Sequence, residues 1–471
     1  MGVWESMADI YIAYASEDRL IAERLYSIFS SQWDTWWDDK IIGDFSQAIE
    51  REIPNSKCLV VIFSTSSRVK STFTDELRIA KRNNINILAV RIDDSDPPYS
   101  FGDCSYTDLH NWNGQVDHPA ILKLKRNIAA IVAPKLKPSR PIAIADGRVQ
   151  LPSLFMSVSS HETQLIPEEA VEALRVFNAS TILVSAFDLV RQRKPQKMIT
   201  ELERYKENGG FVLIDSGNYE KSRLSAKHWK PSQFQEALEN TPHDWVFAFD
   251  NLKTKHDPNA AIEEILTGIE RDRTYTNAPI LPIVHAPAKR TSGYKLETLP
   301  YVVSKVAAEL QPPVIAIPER ELGAGLIERA RTVKAVRDEL SNLPYYQPLH
   351  ILGTGNPWSI ALLAAAGADT FDGLEWCRFA IDRDKEKIHH FQHFDFFVNQ
   401  STSQPFVNEA LADPNVGYAG KVAFHNLDYF AEFMIMLRGM FVAQNEEAFL
   451  VGLLGKKRLA DLKVQFPDLL Q

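Results

Sequence analysis

Two α/β units in series, a doubly wound open sheet followed by a closed (β/α)8 barrel, are what this 471-residue sequence predicts. Three observations carry that expectation. Short apolar runs rich in β-branched residues alternate with helical stretches along most of the chain, the pattern of parallel sheets covered by helices. A tract rich in proline and cations, APKLKPSRP (133–141), interrupts the alternation and has no periodicity of its own. The segment 150–471 that follows is longer than the ~250 residues that an eight-stranded barrel needs. The boundaries therefore read 1–132 for the open sheet, 133–149 for a linker and 150–471 for the barrel.

In the first unit, IYIAY (10–14), CLVVIF (58–63) and INILAVRI (85–92) are short, continuous apolar runs, as buried parallel strands are. Between them LIAERLYSIF (20–29), SQAIEREI (46–53) and TDELRIAKRN (74–83) have helical spacing. Seven strands stand out in the second unit: STILVSAF (180–187), GFVLIDSG (210–217), DWVFAFD (244–250), PILPIVHA (279–286), PVIAIPE (313–319), PLHILGTG (348–355) and DTFDGLE (369–375). Helical segments such as 167–177, 326–340 and 357–367 lie between several of them. Barrels of this kind gather their chemistry at the C-terminal ends of the strands. Asp215, Asp250, His285 and Asp372 are thus expected to share one mouth.

Composition narrows the function classes. With 45% hydrophobic and 24% charged residues the chain is globular, neither disordered nor fibrous. No apolar run approaches the ~18 residues of a membrane helix, and MGVWESMADI is not a basic-then-apolar leader. A cytoplasmic protein without membrane contact is expected. The three cysteines, Cys58, Cys104 and Cys377, are too few and too scattered for a disulfide framework or a cysteine-rich zinc site. With 52 basic and 61 acidic side chains the net charge is −9, most of it in the barrel segment. Tight polynucleotide binding usually shows a basic footprint instead. Nucleic acid is admitted as a partner but not favoured.

The motifs of the first unit are specific enough to carry a resemblance. DIYIAYASED (9–18), WWDDKIIGDF (36–45), IPNSKCLVVIFS (53–64) and SRVKSTFTDEL (67–77) follow one another as in bacterial TIR domains, which have a flavodoxin-like doubly wound fold. In NAD-cleaving members a glutamate follows a serine and an aromatic residue, here Ser71, Phe73 and Glu76. The resemblance implies NAD as substrate, with Glu76 as the catalytic carboxylate. Nicotinamide leaves as a neutral base while the ribose gains oxocarbenium character, which a carboxylate stabilises. Tyr14, Ala15 and Ser16 end the first strand, where nucleotides sit in open α/β sheets. They are expected to contact NAD together with Ser71 and with Trp37 and Asp38, which the resemblance places, like Trp36, on a loop over the crevice. It also implies assembly into homo-oligomers through this unit.

The second unit resembles the tRNA-guanine transglycosylases and their DNA-modifying relatives. FVLIDSGNYE (211–220), DWVFAFDNL (244–252), HILGTGNPWSIALLAAAGADTFDGLEWCR (350–378) and AFHNLDYFAEFMIMLR (423–438) carry the likeness. It implies Asp372 as nucleophile, Asp215 as general acid/base, Asp250 as reader of a guanine-like base, Tyr219 as its stacking ring and Arg378 as a contact to the polynucleotide backbone. The mechanism implied is covalent, the carboxylate attacking C1′ as the purine leaves. Three departures stand out. No cysteine follows Cys377, so the family's three-cysteine zinc site is not expected, and His389, His390 and His393 do not replace it. His285 stands where a base-reading glutamine is usual, and Ile317-Pro318-Glu319 stands where two glycines are usual.

The expected function is NAD hydrolysis by the first unit, in a bacterial antiphage setting. The barrel would sense or process a nucleobase, a nucleoside or a modified nucleic acid. The alternative is a base-exchanging enzyme acting on nucleic acid, with the first unit as a non-catalytic scaffold.

Overall fold

The computed structural model describes residues 8–37, 45–95, 106–110, 112–115, 118–132, 138–160, 163–191, 195–226 and 228–470. The chain divides into two compact units, Met1–Lys137 and Pro138–Gln471.

The first unit is a five-stranded parallel sheet of β1 (Ile10–Ala13), β2 (Thr35–Trp36), β3 (Cys58–Phe63), β4 (Asn86–Arg91) and β5 (Tyr106–Asp108), in the order β2-β1-β3-β4-β5. Every residue of β3 is buried, and the strand shows why a continuous apolar run suits this position. Cys58, Val60 and Ile62 pack with helices Arg19–Ser30 and Pro119–Ile131, whereas Leu59, Val61 and Phe63 face helices Phe45–Asn55 and Ser71–Arg82. The strand order reverses between β1 and β3, so a crevice opens at their C-terminal ends. Trp36, expected on a loop, is a strand residue, paired with Tyr11 across the β1–β2 ladder.

The second unit is the eight-stranded barrel. Its strands are β8 (Ser153–Val158), β9 (Thr181–Ser185), β10 (Phe211–Asp215), β11 (Trp245–Phe247), β12 (Ile280–Leu281), β13 (Ile315–Pro318), β14 (Leu349–Leu352) and β15 (Thr370–Gly373). Seven neighbouring pairs are parallel ladders, β15 closing onto β8. The β12–β13 seam is bridged just past β12, where Val284 N–H donates to the Ala316 carbonyl at 2.8 Å and Ala316 N–H to that of Pro282 at 3.0 Å. Period-two alternation again divides the side chains. Phe155, Leu183, Phe211, Leu213, Phe247 and Leu281 fill the interior, while Leu154, Met156, Ile182 and Val184 meet the surrounding helices.

Residues from Pro138 onward, which include most of the stretch expected as a linker over 133–149, group with the barrel unit. A hairpin of β6 (Ala143–Ile144) and β7 (Val149–Gln150) leads into β8, and Val149 and Leu151 join the interior cluster. Arg140, one of the cations that suggested a linker, donates to the fully buried Asp369 at 2.7 Å and to the carbonyls of Ala364 and Ala368. Beyond β15 come an antiparallel hairpin, β16 (Phe379–Asp382) and β17 (Lys387–His390), and the long helix Tyr418–Ala443. Among the described residues no helix is long and apolar enough to cross a membrane.

Candidate active site

The C-terminal ends of the barrel strands surround a cavity of about 520 Å³, and the structure brings all six expected barrel residues to it: Asp215, Tyr219, Asp250, His285, Asp372 and Arg378. Asp372 lies within β15 and is nearly buried. Ser157 on β8 donates to its Oδ2 at 2.8 Å, and Gly353 N–H to its Oδ1 at 2.8 Å. His350 Nε2 lies 3.1 Å from the same Oδ1, its Nδ1 being 2.8 Å from Thr370 Oγ1. Neighbours on three sides thus fix the carboxylate with one edge toward the cavity.

Asp215 ends β10 and has a different environment. Burial, reinforced by the charges of Glu220 and Asp250, pushes its carboxyl well above the usual carboxylate range. Gly217 N–H donates to its Oδ2 at 3.1 Å. Gly217 has φ +72°, and a Cβ there would meet Phe187 Cβ at 2.6 Å, so the tight turn needs glycine. Asp215, its carboxyl pushed toward the protonated form, faces the same space as the multiply hydrogen-bonded Asp372. Two carboxyl groups in one mouth with different surroundings are what acid/base chemistry at a sugar requires.

Asp250 and His285 form a charged chain. Burial works against ionisation of Asp250, but hydrogen bonds from His285, Ser216 and Asn218 hold its carboxyl below the usual range. The distances are 2.7 Å from His285 Nε2 to Oδ2, 2.6 Å from Ser216 Oγ to Oδ1 and 3.0 Å from Asn218 Nδ2 to Oδ1. His285 Nδ1 lies 3.0 Å from Glu321 Oε1. Burial alone would lower His285, yet the two carboxylates raise it to about 10, so it is an imidazolium donating in both directions. Asp250, expected to read a base, therefore has both oxygens engaged by its own protein.

Tyr219 is 46% exposed at the rim, with the Arg320 guanidinium 4.6 Å above its ring. Arg378 lies over Phe379 and also lines the cavity. Pro318 ends β13, and Glu319, which stands where glycine is usual, pairs with Arg329 at 2.9 Å. Sequence reasoning missed Ser157, His350, Glu220 and Glu321. His350 was discoverable, being a polar residue inside an apolar strand; Glu321 lies in a short turn with no pattern around it.

The residues present do not fit the zinc implied by the family. No cysteine follows Cys377, and no group of three His, Cys, Asp or Glu side chains converges among the described residues. His389 stacks on Phe394 at 4.5 Å, and His390 and His393 lie against each other on the β17 side.

In the first unit, Glu76 lies on the inner face of helix Ser71–Arg82, only 7% exposed, with the Tyr11 hydroxyl 3.4 Å from Oε1. Tyr11 stacks on Trp36 at 4.7 Å. Tyr14 and Trp37 pack on the opposite face of the sheet, Trp37 buried against Tyr26 with Arg19 above it. Alternation along β1 causes this division, so the indole on the Glu76 face is that of Trp36. Ala15 is buried; Ser16 is exposed and bonded by Lys70, which also pairs with Glu17 at 2.6 Å. Asp38 and the side chain of Ser71 lie outside the described residues.

Comparison with known proteins follows the same division. Residues 10–124 match the TIR domain family. The rest of the chain is similar to curated proteins named tRNA-guanine(15) transglycosylase. That of Archaeoglobus fulgidus is 21% identical over 250 residues, covering 50% of this chain and 48% of the relative. That of Methanothermobacter thermautotrophicus is 29% identical over 217 residues, covering 43% and 31% respectively. That of Methanopyrus kandleri is 24% identical over 240 residues, half of each chain. The chain thus spans half or less of the length of these relatives.

Proposed function

We propose that this protein is a TIR-type NAD glycohydrolase whose barrel binds a purine-like base or nucleoside, and that the pair acts in bacterial antiphage defence. The observation that carries the first half is the burial of Glu76 among Tyr11, Trp36, Phe63 and Phe73. Burying a carboxylate costs free energy, so keeping one at this position is what a functional role would account for. Beside the ribose of NAD, its negative charge would stabilise the oxocarbenium formed as the neutral nicotinamide departs, and water would then add at C1′. Assembly through the TIR unit, with a neighbouring copy completing the pocket, belongs to the same reading. The test is nicotinamide release by the full-length protein across a concentration series. Release that rises more steeply than protein concentration and vanishes in Glu76→Gln supports it; release by Glu76→Gln at the wild-type rate overturns it.

A second reading is favoured by the barrel's own carboxyl groups. Burial and neighbouring charge push the Asp215 carboxyl toward its protonated form, and Asp372 is fixed by three neighbours in the same cavity. That pair supports base exchange or glycosidic cleavage: Asp372 would attack C1′ while Asp215 passes a proton to the departing base. Against polynucleotide as the substrate stands the net charge of −9. Mass spectrometry of a barrel adduct after incubation with a nucleoside separates binding from chemistry, since only chemistry leaves a covalent ester on Asp372.

A further inference from the structure

The barrel unit has a second cavity, of about 650 Å³, within the range that small-molecule sites occupy. Asp250 and His285 line both this cavity and the mouth, whereas Asp215 and Asp372 line only the mouth. The second cavity lies in the helical layer. Phe249, which packs with the surrounding helices, lines it together with one face of helix Pro258–Asp272, where Glu264, Gly268 and Arg271 follow one another at helical spacing. Its two ends differ in charge. At one end the Lys221 ammonium lies 5.3 Å and the Arg271 guanidinium 5.4 Å from the centre of the Phe249 ring. Arg271 is aimed by its own neighbours: Nε donates to Asp272 at 2.6 Å and Nη2 to the Phe249 carbonyl at 2.8 Å, which leaves Nη1 without a partner among the described residues. Lys221 has no carboxylate partner among the described residues. At the other end are Glu263 and Glu264, the latter held by Asn251 Nδ2 at 2.9 Å. From Glu264 to Arg271 the helix rises about 10 Å. Between them stands Gly268, inside a 15-residue helix where alanine would be more stable. A Cβ there would meet nothing closer than Arg271 Nη2 at 3.9 Å, so no packing contact among the described residues requires the gap. The close approach of a ligand accounts for it.

We infer that this cavity is a second ligand site, for a phosphorylated sugar whose phosphate lies against Arg271 and Lys221 and whose hydroxyls reach Glu264 across Gly268. A phosphate ester brings close to two negative charges and three acceptor oxygens at neutral pH. Those match an ammonium and a guanidinium with a free edge, the side chains that bind phosphate best. At the acidic end a carboxylate can only accept, and sugar hydroxyls donate to it. A bare phosphate would leave the acidic end unused, and a bare sugar the cationic end. An α-amino acid also carries an anion and a donor, but on adjacent carbons, too close together to serve both ends. The inference is independent of the nucleoside reading of the mouth, because neither Asp215 nor Asp372 lines this cavity.

The test is calorimetry on the full chain with ribose 5-phosphate, ribose and inorganic phosphate. Ribose 5-phosphate is expected to bind roughly tenfold or more tightly than either fragment, as for hydrogen bonds to charged groups. Lys221→Ala should weaken ribose 5-phosphate roughly tenfold, and Glu264→Ala should bring it down to the affinity of inorganic phosphate. Gly268→Leu should abolish binding by filling the cavity. Its melting temperature should not fall, because leucine is the better helix former and no neighbour stands in its way, so an unchanged melt shows that the lost binding is not lost folding. Ribose 5-phosphate binding no more tightly than inorganic phosphate or ribose overturns the inference. So does binding that survives undiminished in both Lys221→Ala and Gly268→Leu, which would put the ligand elsewhere on the protein.

Discussion

His285→Gln should destabilise the barrel by roughly 3–5 kcal/mol, the range for breaking a buried ion pair by removing one partner. Two independent routes reach that magnitude. His285 is held between Asp250 at 2.7 Å and Glu321 at 3.0 Å, all three side chains being buried. Losing the imidazolium leaves two carboxylates facing each other with no cation between them. The second route is linkage: His285 rises from an ordinary 6.5 to about 10, and each unit corresponds to about 1.4 kcal/mol of preference for the charged form. A group raised on folding contributes stability that is complete below its unfolded value and is lost as pH climbs through its folded value. The stabilisation is therefore present at pH 6, declines from about pH 6.5 upward and is gone above about pH 10. The assay is guanidinium unfolding of full-length wild type and His285→Gln between pH 6 and 10, following the transition of the barrel unit. The gap between the two proteins should be widest at pH 6 and narrow as pH rises. A gap under about 1 kcal/mol at pH 6, or one that widens with pH, refutes the reasoning; so does a neutral imidazole at pH 7 by NMR.

Other predictions follow from single contacts. Asp369→Asn should cost the barrel unit roughly 3–5 kcal/mol, because Asp369 is fully buried and bonds Arg140 at 2.7 Å and Arg337 at 2.6 Å; denaturant midpoints check it. Gly217→Ala should lower thermal stability and any nucleoside affinity together, since its Cβ would sit 2.6 Å from Phe187 Cβ at φ +72°. Tyr11→Phe should slow nicotinamide release less than Glu76→Gln does, because it removes only the 3.4 Å contact to the carboxylate; initial rates at matched concentration decide.

Both units were legible because buried parallel strands announce themselves as continuous apolar runs. CLVVIF matches β3 residue for residue, and all seven barrel strands read from the sequence occur, with shorter cores. The barrel's first strand, Ser153–Val158, went unread: its apolar run is broken by Ser157, which turns out to hold Asp372. The strands β2 and β5 were missed because two or three residues carry no period. In the site, aspartates at strand ends were visible as a pattern, whereas their partners were not. Glu321 reaches His285 from the next strand's turn, and Arg140 reaches Asp369 across more than two hundred residues. Such pairings are made by tertiary packing and leave no local signature.

The segment after β15 is tied down by hydrogen bonds from buried polar side chains. Three polar residues of the long helix, His425, Asn426 and Asp428, flank the apolar Leu427, are fully buried and hold the chain around β16. Asn426 Nδ2 donates to the carbonyls of Trp376 and Phe379, and its Oδ1 accepts from Ile381 N–H. His425 Nε2 meets the Ile381 carbonyl at 2.9 Å. Asp428 accepts from Arg383, Ser403 and Gln404, and although burial opposes its charge, the Arg383 and Ser403 bonds hold its carboxyl below the usual range. Apart from the Arg383 guanidinium, the groups bonded are on the backbone and would otherwise be stranded. Trp376, tied to the Ser157 carbonyl at 2.9 Å, links this framework to the strand that fixes Asp372. Asn426→Ala should therefore disturb the setting of Asp372, the proposed nucleophile, from a distance: adduct formation at Asp372 would fall while the helix and barrel persist by circular dichroism. Full adduct yield in Asn426→Ala would show that Asp372 is positioned by Ser157, His350 and Gly353 alone.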